Sequence, residues 1–312
     1  MTLKEIQIRD PFVFPDTESG IYYLFGSTDK NIWYGPGTGF DFFRSHDLQD
    51  WEGPFPAFRP KPDFWATTQF WAPEVHLFNG RHFMFATFNA DQRRRGTQIL
   101  ASDHPAGPYE PWTDGPVTPP DWECLDGTLY VDEAGGPWIV FCHEWVQSLN
   151  GALYAMRLAP DLKGAAGRPV FLFNAAEAPW VRCLNQQSGH ENLELEHPGI
   201  RSPVYVTDGP YLHKTEGGAL LMLWSSFGTK GYAMGIARSV SGAVEGPWIH
   251  EPEPLVDEDG GHGMLFRAFD GHLLLTLHQP NDTPNERAIF RDVTEEGGSI
   301  VFGKKIAKNH PG

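Results

Sequence analysis

Short apolar runs alternate with polar residues and glycine turns along nearly the whole chain, and the arrangement recurs five times. In each copy a polar entry residue leads into an apolar run. A Gly turn follows, and then a second apolar or aromatic run. The first copy reads Asp10-Pro11-Phe12-Val13, Gly20, Ile21-Tyr22-Tyr23-Leu24-Phe25. The second reads Trp71-Ala72-Pro73-Glu74-Val75, Asn79-Gly80, Phe83-Met84-Phe85-Ala86. The third is Asp126-Gly127-Thr128-Leu129, Gly135-Gly136, Trp138-Ile139-Val140-Phe141. The fourth is Asp208-Gly209-Pro210-Tyr211, Gly217-Gly218, Leu220-Leu221-Met222-Leu223-Trp224. The fifth is His262-Gly263-Met264-Leu265, Asp270-Gly271, Leu273-Leu274-Leu275-Thr276-Leu277. Runs of this length, bounded by Gly and rich in aromatic residues, read as strands.

More strand-like material follows each hairpin. Phe40–Ser45, Thr97–Ser102, Ala152–Met156 and Tyr232–Ala237 are predicted third strands, and Trp51, Trp112 and Trp248 begin or precede a fourth. A hairpin alone is not stable in water, so modules of this kind must pack face to face. The expected fold is all-β: a five-bladed β-propeller with four antiparallel strands per blade, one domain over residues 1–312. The longest interval between entry residues runs from Asp126 to Asp208. It predicts an insertion, a polar loop from Asn185 to Ser202 on the functional rim.

Counting back from the turn glycine aligns the entries. Ten residues separate Asp10 from Gly20, and nine separate Asp126 from Gly135, Asp208 from Gly217 and His262 from Gly271. Nine before Gly80 stands Trp71, which sets Glu74 apart from the ring. First strands line the channel of a propeller, so Asp10, Trp71, Asp126, Asp208 and His262 are expected to converge. Alone, Asp-Pro and Asp-Gly are ordinary turn dipeptides; the shared register is what points to chemistry. Gathered carboxylates repel one another, and at least one pKa should rise. Glycosidic bond cleavage needs such a set: one protonated carboxyl for the leaving oxygen and one carboxylate for water or direct attack. His262, between Gly261 and Gly263, reads either as a packed channel histidine or as a contact to metal or substrate.

Charge narrows the partners. With 40 Asp and Glu against 24 Lys and Arg, the net charge is −16. That opposes nucleic acid and anionic membrane surfaces. Arg93-Arg94-Arg95 reads as a solvated loop tip, or less readily as a clamp for an acidic substrate. Three cysteines make no disulfide framework. No apolar leader opens the chain and no run is long enough to span a bilayer, so a cytoplasmic location is expected. The aromatic load of 11 Trp, 9 Tyr and 22 Phe suits both core packing and sugar stacking. Phe55, Phe58, Phe64, Trp65 and Trp180 are candidate platforms.

Arg9-Asp10-Pro11-Phe12 with Tyr22-Tyr23-Leu24, Trp71-Ala72-Pro73-Glu74-Val75, Asp208-Gly209-Pro210 and Gly261-His262-Gly263-Met264 together resemble glycoside hydrolase family 43. The resemblance runs from about Arg9 to His278. It implies a five-bladed propeller of the arabinofuranosidase, β-xylosidase or arabinanase kind that cleaves pentosides with inversion; with no leader visible, short oligosaccharides are the expected substrates and release of terminal L-arabinofuranose or D-xylose the expected action. It implies Asp10 as base, Asp126 as modulator of the acid's pKa, and Asp208 as acid where the family usually carries Glu. Glu144 and Glu191 are the rival acids. Glu74 stands where Asp is usual. His262 matches a histidine beside a channel metal, often calcium, contacted through water. Two other readings stay open: a carbohydrate-binding propeller without activity, and a retaining fructan- or sucrose-type glycosidase. The second rests on Trp122-Glu123-Cys124-Leu125-Asp126, which is similar to the Glu-Cys motif of those families, with Glu123 as acid.

Overall fold

The computed structural model describes residues 1–303 apart from 191, 192, 194–196, 198 and 202. The strands group in chain order into five antiparallel four-stranded sheets. Blade one holds β1 (Arg9–Asp16), β2 (Ile21–Ser27), β3 (Phe40–Ser45) and β4 (Glu52–Phe58). Blade two holds β5 (Thr68–Phe78), β6 (Arg81–Ala90), β7 (Arg93–Ser102) and β8 (Glu110–Pro111). Blade three holds β9 (Cys124–Val131), β10 (Pro137–His143), β11 (Ala152–Arg157) and β12 (Val170–Asn174). Blade four holds β13 (Asp208–Lys214), β14 (Leu220–Gly228), β15 (Gly231–Ser239) and β16 (Trp248–His250). Blade five holds β17 (Gly261–Arg267), β18 (Leu273–Gln279), β19 (Arg287–Glu296) and β20 (Ser299–Phe302). The first strands neighbour one another in a closed circle, β1 to β5, β9, β13, β17 and back to β1. The predicted five-bladed propeller is the fold.

Second strands are apolar at nearly every position because both of their faces are buried. In β14, Leu220, Met222 and Trp224 pack towards blade three, while Leu221 and Leu223 pack towards blade five. In β6, Met84, Ala86 and Phe88 join the blade-one core, and Phe83 and Phe85 join blade three. Each such Leu, Met or Phe side chain stabilises the ring by about 1.5–3 kcal/mol. The circle is closed by the N-terminal segment: Gln7 bridges Arg287, and the Ile8 N–H donates to the Glu286 carbonyl at 3.3 Å.

The long interval before blade four is more than a polar loop. Leu184, Leu193, Ile200, Val204 and Val206 form a small core of their own, against Trp145 and Leu149 beside the single-turn helix α1 (Trp145–Ser148) and against Phe227. Four of these apolar residues lie within or just beyond a stretch that reads as polar overall, and that dilution hides the cluster in the sequence.

Candidate active site

One backbone feature marks the true ring register. Asp10 (φ 52°), Ala72 (45°), Asp126 (54°), Gly209 (48°) and His262 (49°) all sit in the left-handed region, one per blade. At each of these positions the first strand slips against the second, at Arg9/Phe12, Trp71/Glu74, Asp208/Tyr211 and Gly261/Met264, and across from Val140/Cys142 in blade three. Such bulges re-aim side chains into the channel. Three sequence-assigned entries, Asp10, Asp126 and His262, are therefore correct. Two are off by one: the ring positions are Ala72, not Trp71, and Gly209, not Asp208. In blade four the offset of nine must be counted from Gly218, the glycine with φ 86°, rather than from Gly217.

The residue opposite each entry's predecessor is Ser27, Thr87, Cys142, Ser225 or His278. Each lies seven residues after its turn glycine, Gly20, Gly80, Gly135, Gly218 or Gly271. These residues staple blade to blade. Ser27 Oγ accepts from Ala72 N at 2.9 Å, Thr87 Oγ1 from Asp126 N at 2.9 Å, Ser225 Oγ from His262 N at 2.8 Å, and His278 Nδ1 from Asp10 N at 3.2 Å. In blade three, where the residue is Cys142, the next entry N–H goes elsewhere: Gly209 N donates to Asp126 Oδ2 at 3.0 Å. The constant seven-residue offset of these residues is present in the sequence and identifies Gly218 as the turn glycine of blade four.

Asp10, Asp126 and Asp208 are brought to one mouth. Ser27 Oγ donates to Asp10 Oδ2 at 2.7 Å, and His262 Nδ1 stands 3.1 Å from Asp10 Oδ1 and 3.7 Å from Asp126 Oδ2. The Tyr232 hydroxyl donates to Asp208 Oδ2 at 3.0 Å. A Cβ on Gly209 would lie 2.6 Å from the His262 ring, so glycine is needed there for close approach as well as for φ. His278 uses Nδ1 to accept from Asp10 N and Nε2 to donate to Asn281 Oδ1 at 3.2 Å, which fixes a neutral tautomer.

The surroundings split the carboxyls. Burial alone would raise Asp10, but the His262 imidazolium and the Arg9 guanidinium hold it well below the usual carboxylate range. Burial works against the charge on His262 too, yet Asp10 and Asp126 push it up to about 10. Burial and the charge of Asp10 raise Asp126, to about 6. Burial and the neighbouring Asp126 raise Asp208, to about 7. His278 is pushed down to about 3 by burial and stays neutral. The mouth thus holds one firmly ionised carboxylate, Asp10, and a second carboxyl, Asp208, that still carries a proton around neutrality.

The remaining candidates sit apart from this trio. Glu74 lies two residues beyond Ala72, is buried, and pairs with His76 Nε2 at 3.0 Å. Glu144 is buried and raised to about 7 by burial; it pairs with Arg95 Nη1 and feels the charge of Asp208. Arg95 also donates to Gln69 Oε1 and lies 4.6 Å over the Trp71 ring. Glu123 accepts from Arg94 Nη1 at 2.7 Å and Arg95 N at 3.1 Å, so the Arg93–Arg95 run ends in ion pairs on the rim. Glu191 lies outside the described residues. Of the proposed aromatic platforms, Phe58 and Trp180 are core, and Phe55, Phe64 and Trp65 pack against it. An exposed aromatic that does reach the site is Trp33, against Arg9 and Trp71; with its neighbour Tyr34 it falls in a loop outside the repeat, where the sequence pattern gives no signal.

Calcium takes about six to eight oxygen ligands. Among the described residues no group of three or more His, Cys, Asp or Glu side chains is placed to hold a metal ion. The His262 nitrogen that faces the mouth is turned to two carboxylates. This donor set does not fit a directly ligated calcium ion. No helix among the described residues is long and apolar enough to cross a membrane.

A five-bladed ring with three unlike carboxyls at its mouth defines a propeller glycosidase. The model of glycosyl hydrolases family 43 matches residues 3–295, and the chain belongs to that family. Its fold superposes on the crystal structure of an endo-arabinase from Bacteroides thetaiotaomicron VPI-5482 with a TM-score of 0.84 and 39% identity, covering 96% of this chain and 98% of that one. In sequence it is 22% identical over 241 residues to the extracellular endo-α-(1→5)-L-arabinanase 1 of Bacillus subtilis (strain 168), 62% of this chain and 69% of that protein. It is 23% identical over 217 residues to α-L-arabinofuranosidase 43 of Humicola insolens, 65% of this chain but only 41% of that protein.

Proposed function

We propose that the chain hydrolyses α-L-arabinofuranosyl linkages of arabino-oligosaccharides with inversion at the anomeric carbon. The observation that carries this is the contrast between Asp10, held by His262 and Ser27, and Asp208, held by Tyr232 beside Asp126, at one mouth. Asp208 gives its proton to the glycosidic oxygen as the bond to the anomeric carbon breaks. Asp10 takes a proton from the water that attacks the opposite face, and solvent then restores both groups. Asp126 keeps Asp208 protonated by its own charge, while the Gly209 N–H holds Asp126 in place.

Arabinose is favoured over xylose because the 39%-identical relative is an endo-arabinase and the two curated relatives are named for arabinose chemistry, one an endo-arabinanase and one an arabinofuranosidase. The likeness to the two endo-acting relatives, the nearer in identity at 39%, favours cleavage within the chain over release of terminal units. The test is hydrolysis of linear arabino-oligosaccharides, with the first-formed anomer read by NMR and the products by chromatography. Inverted product in a mixture of lengths supports the proposal. Arabinose as sole product returns it to terminal cleavage. Retained configuration overturns the mechanism. Tight binding without turnover makes the chain a carbohydrate-binding propeller.

A further inference from the structure

One wall of the mouth is a ladder of alternating guanidinium and indole groups. The Arg9 guanidinium lies 5.0 Å over the Trp33 ring, Trp33 meets Trp71 edge to face at 5.4 Å, and Arg95 lies 4.6 Å over Trp71. Arg9 adjoins Asp10, its Nε 4.0 Å from Oδ1. Trp71 precedes Ala72, whose N–H is held by the same Ser27 hydroxyl that bonds Asp10. The ladder therefore starts beside the ionised carboxylate and runs across blades one and two, with its buried ends at Arg9 and Arg95.

Trp33 is the exposed rung. It is 40% accessible, and its neighbour Tyr34 is 91% accessible. Large exposed aromatics grouped at the edge of a site mark a binding surface. The loop that bears them is pinned on several sides. Trp33 Nε1 donates to Thr283 Oγ1 at 3.3 Å, Gln69 Nε2 to the Trp33 carbonyl at 3.3 Å, and Trp71 Nε1 to the Ile32 carbonyl at 2.6 Å. Gly37 N donates to the Thr67 carbonyl at 2.7 Å. Arg9 is itself anchored by Glu286 at 2.9 Å, so the guanidinium covers one face of the indole while Trp71 packs beside it, and the remaining two fifths of the residue is open to solvent. A fixed indole with apolar surface, set among hydrogen-bonding groups, matches the flat C–H face of a sugar ring with hydroxyls at its edge.

We propose that Trp33 is the stacking platform of an outer glycan subsite, receiving a sugar ring of the chain next to the one being cleaved. The inference rests on the glycosidase reading above and adds chain-length recognition to it. The occupant is a neutral glycan ring, because Arg9 and Arg95 already have carboxylate partners in Glu286 and Glu144.

The test compares the full-length protein with its Trp33→Ala and Trp33→Phe variants, using 4-nitrophenyl α-L-arabinofuranoside and arabinohexaose. Trp33→Ala should lower the ratio of kcat/KM for the hexaose to kcat/KM for the aryl glycoside by about tenfold, through KM. Trp33→Phe should restore most of it. An unchanged ratio overturns the proposal. Failure of the wild type to hydrolyse any pentoside would refute the activity, not the subsite. A second arm therefore titrates arabinohexaose and xylohexaose into the Asp10→Asn protein by calorimetry. About tenfold weaker binding on adding Trp33→Ala supports the platform; equal affinity, or no binding of either glycan to the parent, overturns it.

Discussion

The Tyr232 hydroxyl donates to Asp208 Oδ2 at 3.0 Å, across two strands of one blade. A hydrogen bond of this kind favours the ionised carboxylate, and it opposes the burial and the Asp126 charge that raise Asp208 to about 7. If Asp208 is the acid, the active form is protonated, so activity is present below that value and lost as pH rises through it. Tyr232→Phe removes the one neighbouring hydroxyl that lowers the pKa, so the alkaline limb of kcat/KM should move upwards, by up to about one pH unit. A pH profile of the variant decides it. A limb that stays in place would assign that ionisation to another group, with Glu144 next in line.

Removal of the acid itself should depend on the leaving group. Asp208→Asn should cost about 10²–10⁴-fold in kcat on arabino-oligosaccharides, whose leaving oxygen must be protonated. With 2,4-dinitrophenyl α-L-arabinofuranoside the leaving group departs unaided, and the loss should be far smaller. Equal losses on both substrates would show that Asp208 binds or positions the sugar. The same pair of substrates applied to Glu144→Gln tests its rival.

Ser27 carries two tasks with one hydroxyl. It donates to Asp10 Oδ2 and accepts from the Ala72 N–H, so it joins the proposed base to the neighbouring blade. Ser27→Ala leaves the buried Ala72 N–H without its partner, which costs about 1–3 kcal/mol. It also frees Asp10 to rotate. Thermal unfolding should fall by several degrees, with kcat reduced more than KM is raised. Thr87→Ala makes a matched control: Thr87 holds the Asp126 N–H but no carboxylate, so it should lose similar stability and less activity.

The blades were legible because strand alternation and turn glycines are local signals. Leu221 and Leu223 on one face of β14, and Met222 and Trp224 on the other, write the ring's packing directly into consecutive residues. Asp10, Asp126 and His262 were legible through their repeat position. Blade four was misread by one residue because Gly217 and Gly218 offer two turn glycines, and only backbone φ separates them. Tyr232, His278 and Trp33 were not legible as site residues. Each reaches the mouth from a different strand or loop, by contacts such as the stacking of Tyr232 on His278 at 5.5 Å, which no periodicity encodes. The role of Ser27 lay between these cases, visible only as a polar residue at a constant offset.

Gly209 tests the corrected register most directly. Its φ of 48° is one that side chains with a Cβ adopt at a cost of about 1–2 kcal/mol. A Cβ there would also lie 2.6 Å from the ring of His262, which is held between Asp10 and Asp126 and cannot retreat without breaking that contact. Gly209→Ala should therefore lower Tm and also displace His262, loosening the imidazolium that keeps Asp10 ionised, with kcat falling by about a hundredfold or more. Gly218→Ala separates the two effects. Its φ of 86° is also left-handed, but nothing lies within 4 Å of an added Cβ. That variant should lose a few degrees of Tm from backbone strain alone, at about 1.5 °C per kcal/mol in a chain of this size, and keep its kcat. Equal activity losses in the two variants would mean that Gly209 serves only the turn of the chain and that the packing of His262 on it is incidental.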